Sequence, residues 1–509
     1  MERTKPFDDP IHRNRLKLFV GSKRKTASKA KQQLTSMKSE VELFSRLYIS
    51  CQSREGNMED FFQHENQAWP PALSDGGRLR FGIKSDLLTC LEELYPAQSK
   101  VPDATCTVLD GAAIIQMLKP AGAKTFDEYA QQVFIPHILC QLRCVSRVDL
   151  VWDTYMDDSL KGTARAKRGK GVRRRVVGKA AMPGNWQNFL REDNNKTELF
   201  SFLSKALLQA SIEEGKEVVV TNGKGVIGKR ALLDLPTLAP CSHEEADSFM
   251  ILHVSHAAQH GHNKINIRTV DTDVVVLAVS AMSKLPAGCE LWLSFGTGKN
   301  FRYLAAHQMA ACLGPQKSIA LPMFHALTGC DTVSSFAGHG KKAAWSTWKS
   351  LPELTNALLM LSCGPKEIPD HPMDVIERFV ILLFDRTSTH TKVDRARMKL
   401  FPRRKSVQQL PPTRAALVEH VKRAVYQGGH IWGNTLSPDP VLPSPTDWGW
   451  VKTTDGMYEP HWTTLPQASK SCFELISCGC KSGCSKRCRC KKAALQCTGL
   501  CFCEGECSS

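Results

Sequence analysis

Along residues 1–75 polar and basic positions dominate and no hydrophobic period holds, so this stretch reads as an extension that is partly helical at best. From about residue 80 the pattern changes. Short β-rich apolar runs at 107–109, 148–152, 217–221, 265–270 and 290–294 alternate with amphipathic stretches at 126–144, 196–212 and 244–259. That alternation predicts an α/β domain over residues 76–400, with a mostly parallel sheet flanked by helices. Prolines become frequent over 401–471, and Trp432, Trp448, Trp450 and Trp462 stand among them. This segment reads as a linker with one short helix at 413–426, packed back through its tryptophans. Residues 472–509 form a separate cysteine-rich module, and no repeat of solenoid length is present.

Composition narrows the classes. With 42% hydrophobic residues over 509 positions the chain can bury a large core, and the length suggests about three domains. No run approaches the roughly 20 apolar residues of a membrane helix, and the first residues lack the apolar stretch of a secretory signal. A soluble, intracellular protein without a membrane partner is expected. The formal charge of +17 favours an acidic polymer as partner, although histone tails or acidic proteins are alternatives. Basic blocks at 13–31, including Lys23-Arg24-Lys25, and at 161–175 suit a nucleic-acid partner in the nucleus, with the cytoplasm as a second compartment.

Ten of the 20 cysteines fall in the last 38 residues. Nine of them, Cys478, Cys480, Cys484, Cys488, Cys490, Cys497, Cys501, Cys503 and Cys507, follow the order C-x-C-x3-C-x3-C-x-C-x6-C-x3-C-x-C-x3-C. Thiolates at this density suit tetrahedral zinc, and a segment too short for its own core needs such a staple. Three zinc ions would require three bridging sulfurs and would leave net negative charge. Lys481, Lys486, Arg487, Arg489, Lys491 and Lys492 lie among these cysteines with no acid between Cys478 and Cys497, which offsets that charge and offers a surface to phosphates. A disulfide knot is the alternative, and the reducing context argues against it.

Several acids directly follow apolar runs, where a parallel sheet presents its C-terminal edge. Asp110 follows Thr-Val-Leu, Asp153 follows Val-Asp-Leu-Val-Trp, and Asp271 and Asp273 follow Ile-Asn-Ile-Arg-Thr-Val. Glu244, Glu245 and Asp247 open a helix, and Asp331 ends Phe-His-Ala-Leu-Thr-Gly-Cys. Acids converging on one edge repel unless cations lie between them, which points to Mg²⁺ or Mn²⁺. Singly, each has a plainer reading as a helix cap or a solvated side chain.

Two resemblances organise these motifs. The cysteine spacing resembles the tesmin-like CXC family, whose modules share zinc among cysteines and in several members bind DNA. Here there is one unit, and Arg487 stands where that family often has an aromatic residue. The stretch Leu327-Thr-Gly-Cys-Asp331, followed by Gly338-His-Gly340-Lys-Lys342-Ala-Ala344, resembles the flap endonuclease branch of the PIN-like nucleases. Glu245-Ala-Asp247 is similar to that family's Glu-Ala-Glu, and Asp271-Thr-Asp273 to its acid-x-Asp step. Asp153 with Lys161 and the basic run after it resembles the entry to its DNA-threading arch, and Asp110-Gly111 its first aspartate.

The resemblance spans roughly residues 105–350. It implies that Asp110, Asp153, Glu245, Asp247, Asp271, Asp273 and Asp331 hold a pair of cations for phosphodiester hydrolysis. It further implies that Gly338, Gly340 and Lys342 meet a DNA phosphate, with Arg175 or Lys179 steadying the transition state. The combination also resembles a multi-copy group of animal proteins, an association that carries no activity with it.

Other signals have plainer readings. Gly223-Lys-Gly-Val-Ile-Gly228-Lys229 mimics a P-loop, but Arg230 stands where a hydroxyl must hold magnesium, so a glycine-rich β-turn is expected. His243, His253, His256 and His260 read as exposed helix histidines without a metal. Two functions stay open. One is a metal-dependent, flap endonuclease-like phosphodiesterase on DNA or RNA with a zinc-binding tail. The other is a non-catalytic DNA- or chromatin-binding protein that keeps the nuclease fold as a scaffold, with chromatin proteins as partners.

Overall fold

The computed structural model of the protein describes residues 57–156, 158–166, 171–229, 232–403, 406–468 and 488. The described residues divide into two compact units, one within Trp69–Ala396 and Pro411–Thr464, the other from 57–68, 397–403, 406–410, 465–468 and 488. In the second, the helix Met58–Gln63 is capped by Asn57, whose side chain accepts from the backbone N–H groups of Glu59 and Asp60. Within that unit a buried Glu65–Arg397 pair lies at 3.3 Å.

The first unit is an α/β fold around a seven-stranded sheet. Its strands are β1 (Cys106–Asp110), β2 (Arg147–Val151), β3 (Glu217–Asn222), β4 (Gly225–Gly228), β5 (Lys264–Thr269), β6 (Glu290–Phe295) and β7 (Arg302–Ala305), in the spatial order β4-β3-β2-β1-β5-β6-β7. The five central strands run parallel, and the edges β4 and β7 are antiparallel. Every residue of β1 and β2 is buried, as expected of a parallel sheet covered on both faces.

The helices that matter below are α1 (Ser85–Glu92), α2 (Gly111–Met117), α3 (Ile135–Cys144), α4 (Leu160–Ala166), α5 (Asp193–Gln209), α6 (Ala246–Gln259), α7 (Thr272–Ala281), α8 (Pro315–Leu327), α9 (Lys341–Ser350) and α10 (Arg414–Val425). On one face Leu109, Phe134, Leu150, Trp152, Phe200, Leu203 and Val220 form a continuous core between the sheet, α3 and α5. On the other lies α6, apolar almost all round, with Phe249, Met250, Ile251 and Val254 buried. The segment 411–464, including α10, belongs to this unit; Trp432, Trp448, Trp450 and Trp462 are buried in it.

The strand order has a functional consequence. From β1 the chain builds outward through β2 and β3, then returns to the other side of β1 to add β5 and β6. The connections leaving β1 and β5 therefore diverge and open a crevice at the carboxyl end of the sheet.

Two expectations about side chains resolve here. Gly223 takes a left-handed turn, with φ 58°, between the antiparallel β3 and β4, so the P-loop mimic is a β-hairpin turn. The helix histidines are not all exposed: His253 and His256 are buried because α6 is covered on both sides, and His243, just before it, is buried between Ser248 and the Ser437 carbonyl. His253 Nδ1 lies 2.6 Å from Asp149 Oδ2, and Arg147 grips the same carboxylate at 2.6 and 2.7 Å. Burial works to raise the Asp149 carboxyl, but Arg147 and His253 hold it well below the usual range. These groups form an internal polar network, not a metal site. Among the described residues no helix is long and apolar enough to cross a membrane.

Candidate active site

The acids reach the crevice from five elements. Asp110 ends β1 and caps α2: its Oδ1 accepts from Ala113 N at 2.9 Å and its Oδ2 from Thr269 Oγ1 at 3.2 Å. Asp153 lies two residues beyond β2, accepting from Ala246 N at 3.0 Å and from the Tyr155 hydroxyl at 3.2 Å. That bond docks the start of α6 against the β2 edge, so Glu245 and Asp247 arrive beside Asp153. Asp271 caps α7 through the N–H of Asp273 at 2.9 Å. Asp331 follows α8 in a tight loop.

Glycine makes that loop feasible. Gly329 has φ +110°, and a Cβ there would lie 2.9 Å from the backbone of Ser335.

Carboxylate oxygens of Asp247, Asp271 and Asp273 lie within 4.8 Å of one another. Asp247 carries no hydrogen bond or ion pair among the described residues, although it stands in the crevice with like charges around it. Burial first, then the charges of Asp271 and Glu245, push its carboxyl well above the ordinary range. Burial, with Asp153 and Asp271 adding to it, raises Asp110 to about 7. Glu245 is raised to about 6, chiefly by burial. Carboxyls raised in this way are short of positive charge.

Two lysines supply part of it. Lys84, at the start of α1, donates to Asp331 Oδ1 at 2.7 Å and to Asp273 Oδ2 at 2.9 Å, and lies 4.0 Å from Asp271 Oδ1. Asp331 and Asp273 are thus within two hydrogen-bond lengths of each other. Lys161, on α4, pairs with Glu245 and lies 3.5 Å from Asp331 Oδ2. Burial opposes both ammonium charges, yet the surrounding acids hold both lysines protonated. The same cations, with the His325 hydrogen bond, keep Asp273 below its ordinary range against its burial. His325 itself is lowered to about 4 by burial, so its neutral ring donates from Nε2 to Asp273 Oδ1 at 2.9 Å.

The site therefore gathers seven carboxylates that the sequence scattered from Asp110 to Asp331, and adds two ammoniums. A hard divalent cation takes oxygen ligands, and the donors here are carboxylates without a thiol among them, so the set fits Mg²⁺ or Mn²⁺. No family model and no curated protein matches this chain. The reading of the site thus rests on geometry.

Gly338, Gly340 and Lys342 form a separate group in the turn leading into α9, where all three are exposed. Gly338 has φ +73°, and Gly340 caps the helix. Their neighbour Lys341 points inward, donating to the His325 carbonyl at 2.6 Å and to Thr328 Oγ1 at 2.9 Å. It ties α9 to the end of α8, and burial lowers its ammonium to about 7. Arg175 and Lys179 are exposed on the segment after residue 170; the cations bonded to the acids are Lys84 and Lys161.

Lys84, His325 and Lys341 were missed from sequence. Lys84 precedes the nuclease-like stretch and carries no motif, whereas a histidine six residues before Asp331, one helical face away, was a usable signal. Of the predicted zinc ligands only Cys488 is among the described residues, where it is buried. Cys478, Cys480, Cys484, Cys490, Cys497, Cys501, Cys503 and Cys507 lie outside them, as do Lys486, Arg487, Arg489 and Lys491.

Proposed function

We propose that the α/β unit is a PIN-like, divalent-cation-dependent phosphodiesterase of the flap endonuclease type, acting on DNA or RNA, and that the cysteine-rich tail binds zinc and helps hold nucleic acid in the nucleus. The observation that carries this reading is the meeting of seven carboxylates at the switch point of the sheet, three of them with oxygens within 4.8 Å.

Asp247, Asp271 and Asp273 would hold Mg²⁺ or Mn²⁺. When bound, the cation would activate water and neutralise the scissile phosphate. The chain's own groups do the rest. Lys161, paired with Glu245, carries a positive charge beside the acids and can turn to a phosphate oxygen. The N-terminus of α9, with exposed Gly338, Gly340 and Lys342, offers backbone N–H groups and a charge to a second phosphate along the strand. His325 fixes the orientation of Asp273 from behind, as a buried neighbour commonly does for a ligating carboxylate.

One observation favours the second reading, a non-catalytic binding module: two ammoniums already sit among the acids. An assay on flap, gapped and single-stranded DNA and RNA with Mg²⁺ or Mn²⁺ separates the two. Catalysis predicts cutting by the wild type that Asp271→Ala abolishes while binding persists. A folded wild type that binds these nucleic acids and cuts none of them leaves the binding module. For the tail, zinc measured by native mass spectrometry should fall on Cys490→Ser; a wild type without zinc removes that half of the proposal.

A further inference from the structure

Resting on that reading, we infer that this centre uses one divalent cation and a built-in ammonium, Lys84, in place of a second metal ion. The acids divide into two groups by what already occupies them. Asp247 has no hydrogen bond or ion pair among the described residues, and Asp271 accepts a backbone N–H through Oδ1 alone, leaving Oδ2 open. Together with Asp273 they offer oxygens within 4.8 Å, a seat for one cation.

The second group is filled. Asp331 gives Oδ1 to Lys84 at 2.7 Å and turns Oδ2 towards Lys161 at 3.5 Å. Asp273 belongs to both groups: its Oδ2 accepts from Lys84 at 2.9 Å and its Oδ1 from His325, and a second lone pair on an oxygen remains for the cation. An ammonium lying between Asp273 and Asp331 stands where a second cation would have to sit, and two positive groups cannot share that space at contact distance.

The position of Lys84 is built, not casual. Its backbone is pinned four residues upstream, where the Arg80 carbonyl accepts from Ser335 N at 2.7 Å and from Ser335 Oγ at 3.1 Å, so Lys84 is tethered to the same loop that carries Asp331. Downstream, Leu87, Leu88 and Leu91 of α1 are buried. A lysine at a helix N-terminus is electrostatically unfavourable for the helix, so its place there serves the acids and not α1. Because an ammonium has no exchangeable coordination sphere, Lys84 can neutralise charge and position a phosphate but cannot activate water. Asp247, Asp271 and Asp273 would hold the divalent cation that supplies that chemistry.

The test is a Mn²⁺ titration of the zinc-replete full chain followed by electron paramagnetic resonance, in wild type, Lys84→Met and Lys84→Arg. The expected result is one bound Mn²⁺ in the wild type and in Lys84→Arg, rising to two spin-coupled ions in Lys84→Met, with Asp247→Asn abolishing the wild-type site. Two ions in the wild type would overturn the inference and leave the phosphodiesterase reading standing. One ion in Lys84→Met would also overturn it; if that variant fails to fold, Lys84→Gln is read in its place. One ion in a wild type that cuts no nucleic acid would support the inference while the proposed activity fails. No ion in any of these proteins would overturn both.

Discussion

At the scale of residues, the acids behave as a set because each is held by a different local device: Asp110 and Asp271 as helix caps, Asp153 as an acceptor for the start of α6, Asp331 through the turn at Gly329. Asp110 carries a clear electrostatic penalty, its carboxyl being raised to about 7 by burial and by Asp153 and Asp271. A group that binds its proton more tightly folded than unfolded, where its value is about 3.9, stabilises the fold at low pH and loses that contribution as pH rises through the folded value. Asp110→Asn keeps the acceptor for Ala113 and removes the charge. Relative to wild type and without added divalent cation, this variant should gain stability between pH 4 and pH 7, by on the order of 2–4 kcal/mol, and hold that gain above pH 7. Thermal unfolding of both proteins across pH 4–8 checks this; parallel curves would mean that Asp110 is ionised in the fold without penalty. Comparing variants cancels the buried histidines, whose lowered values act in the opposite sense.

At the scale of elements, the central strands were legible almost to the residue, because each is a short run rich in Val, Ile, Leu or Trp that stands apart from the longer amphipathic stretches: 107–109 became Cys106–Asp110, and 290–294 became Glu290–Phe295. The edge strand β7 was not, since a short strand, half covered, has neither a run nor a clear alternation. The histidines of α6 were misplaced on the surface for a related reason. That helix is apolar all round, and the same composition that hid its polar face meant that it had none. The junction of β1 and α2 can be tested directly. A Cβ on Gly111 would lie 2.2 Å from Cε3 of Trp152, an indole locked by its bond to Ser204 Oγ at 2.8 Å and stacked on Phe200 at 4.3 Å. Gly111→Ala should therefore cost about 1–3 kcal/mol in denaturant unfolding, and should disturb the neighbouring Asp110 and Asp153; a neutral result would mean that Trp152 can yield.

At the scale of the whole molecule, local pattern could nominate acids at strand ends, but the parts that depend on long-range folding had no local mark. Lys84 joins Asp331 across most of the sheet's sequence, and no period or motif announces it. The cations divide in the same way: Lys161 opens the basic block at 161–175 that composition marks, while Lys84 stands outside any such block. The proposed activity requires that acids remote in sequence act as a single cation-holding centre for phosphodiester cleavage. The most direct measurement is the cutting rate of labelled DNA and RNA with Mg²⁺ by the wild type and by Asp331→Ala, alongside their binding affinity. Asp331 is the acid farthest along the chain from Asp110, and its removal should lower the rate by about 10²–10³-fold while binding changes little. A wild-type rate in Asp331→Ala, or no cutting by the wild type, would contradict the account.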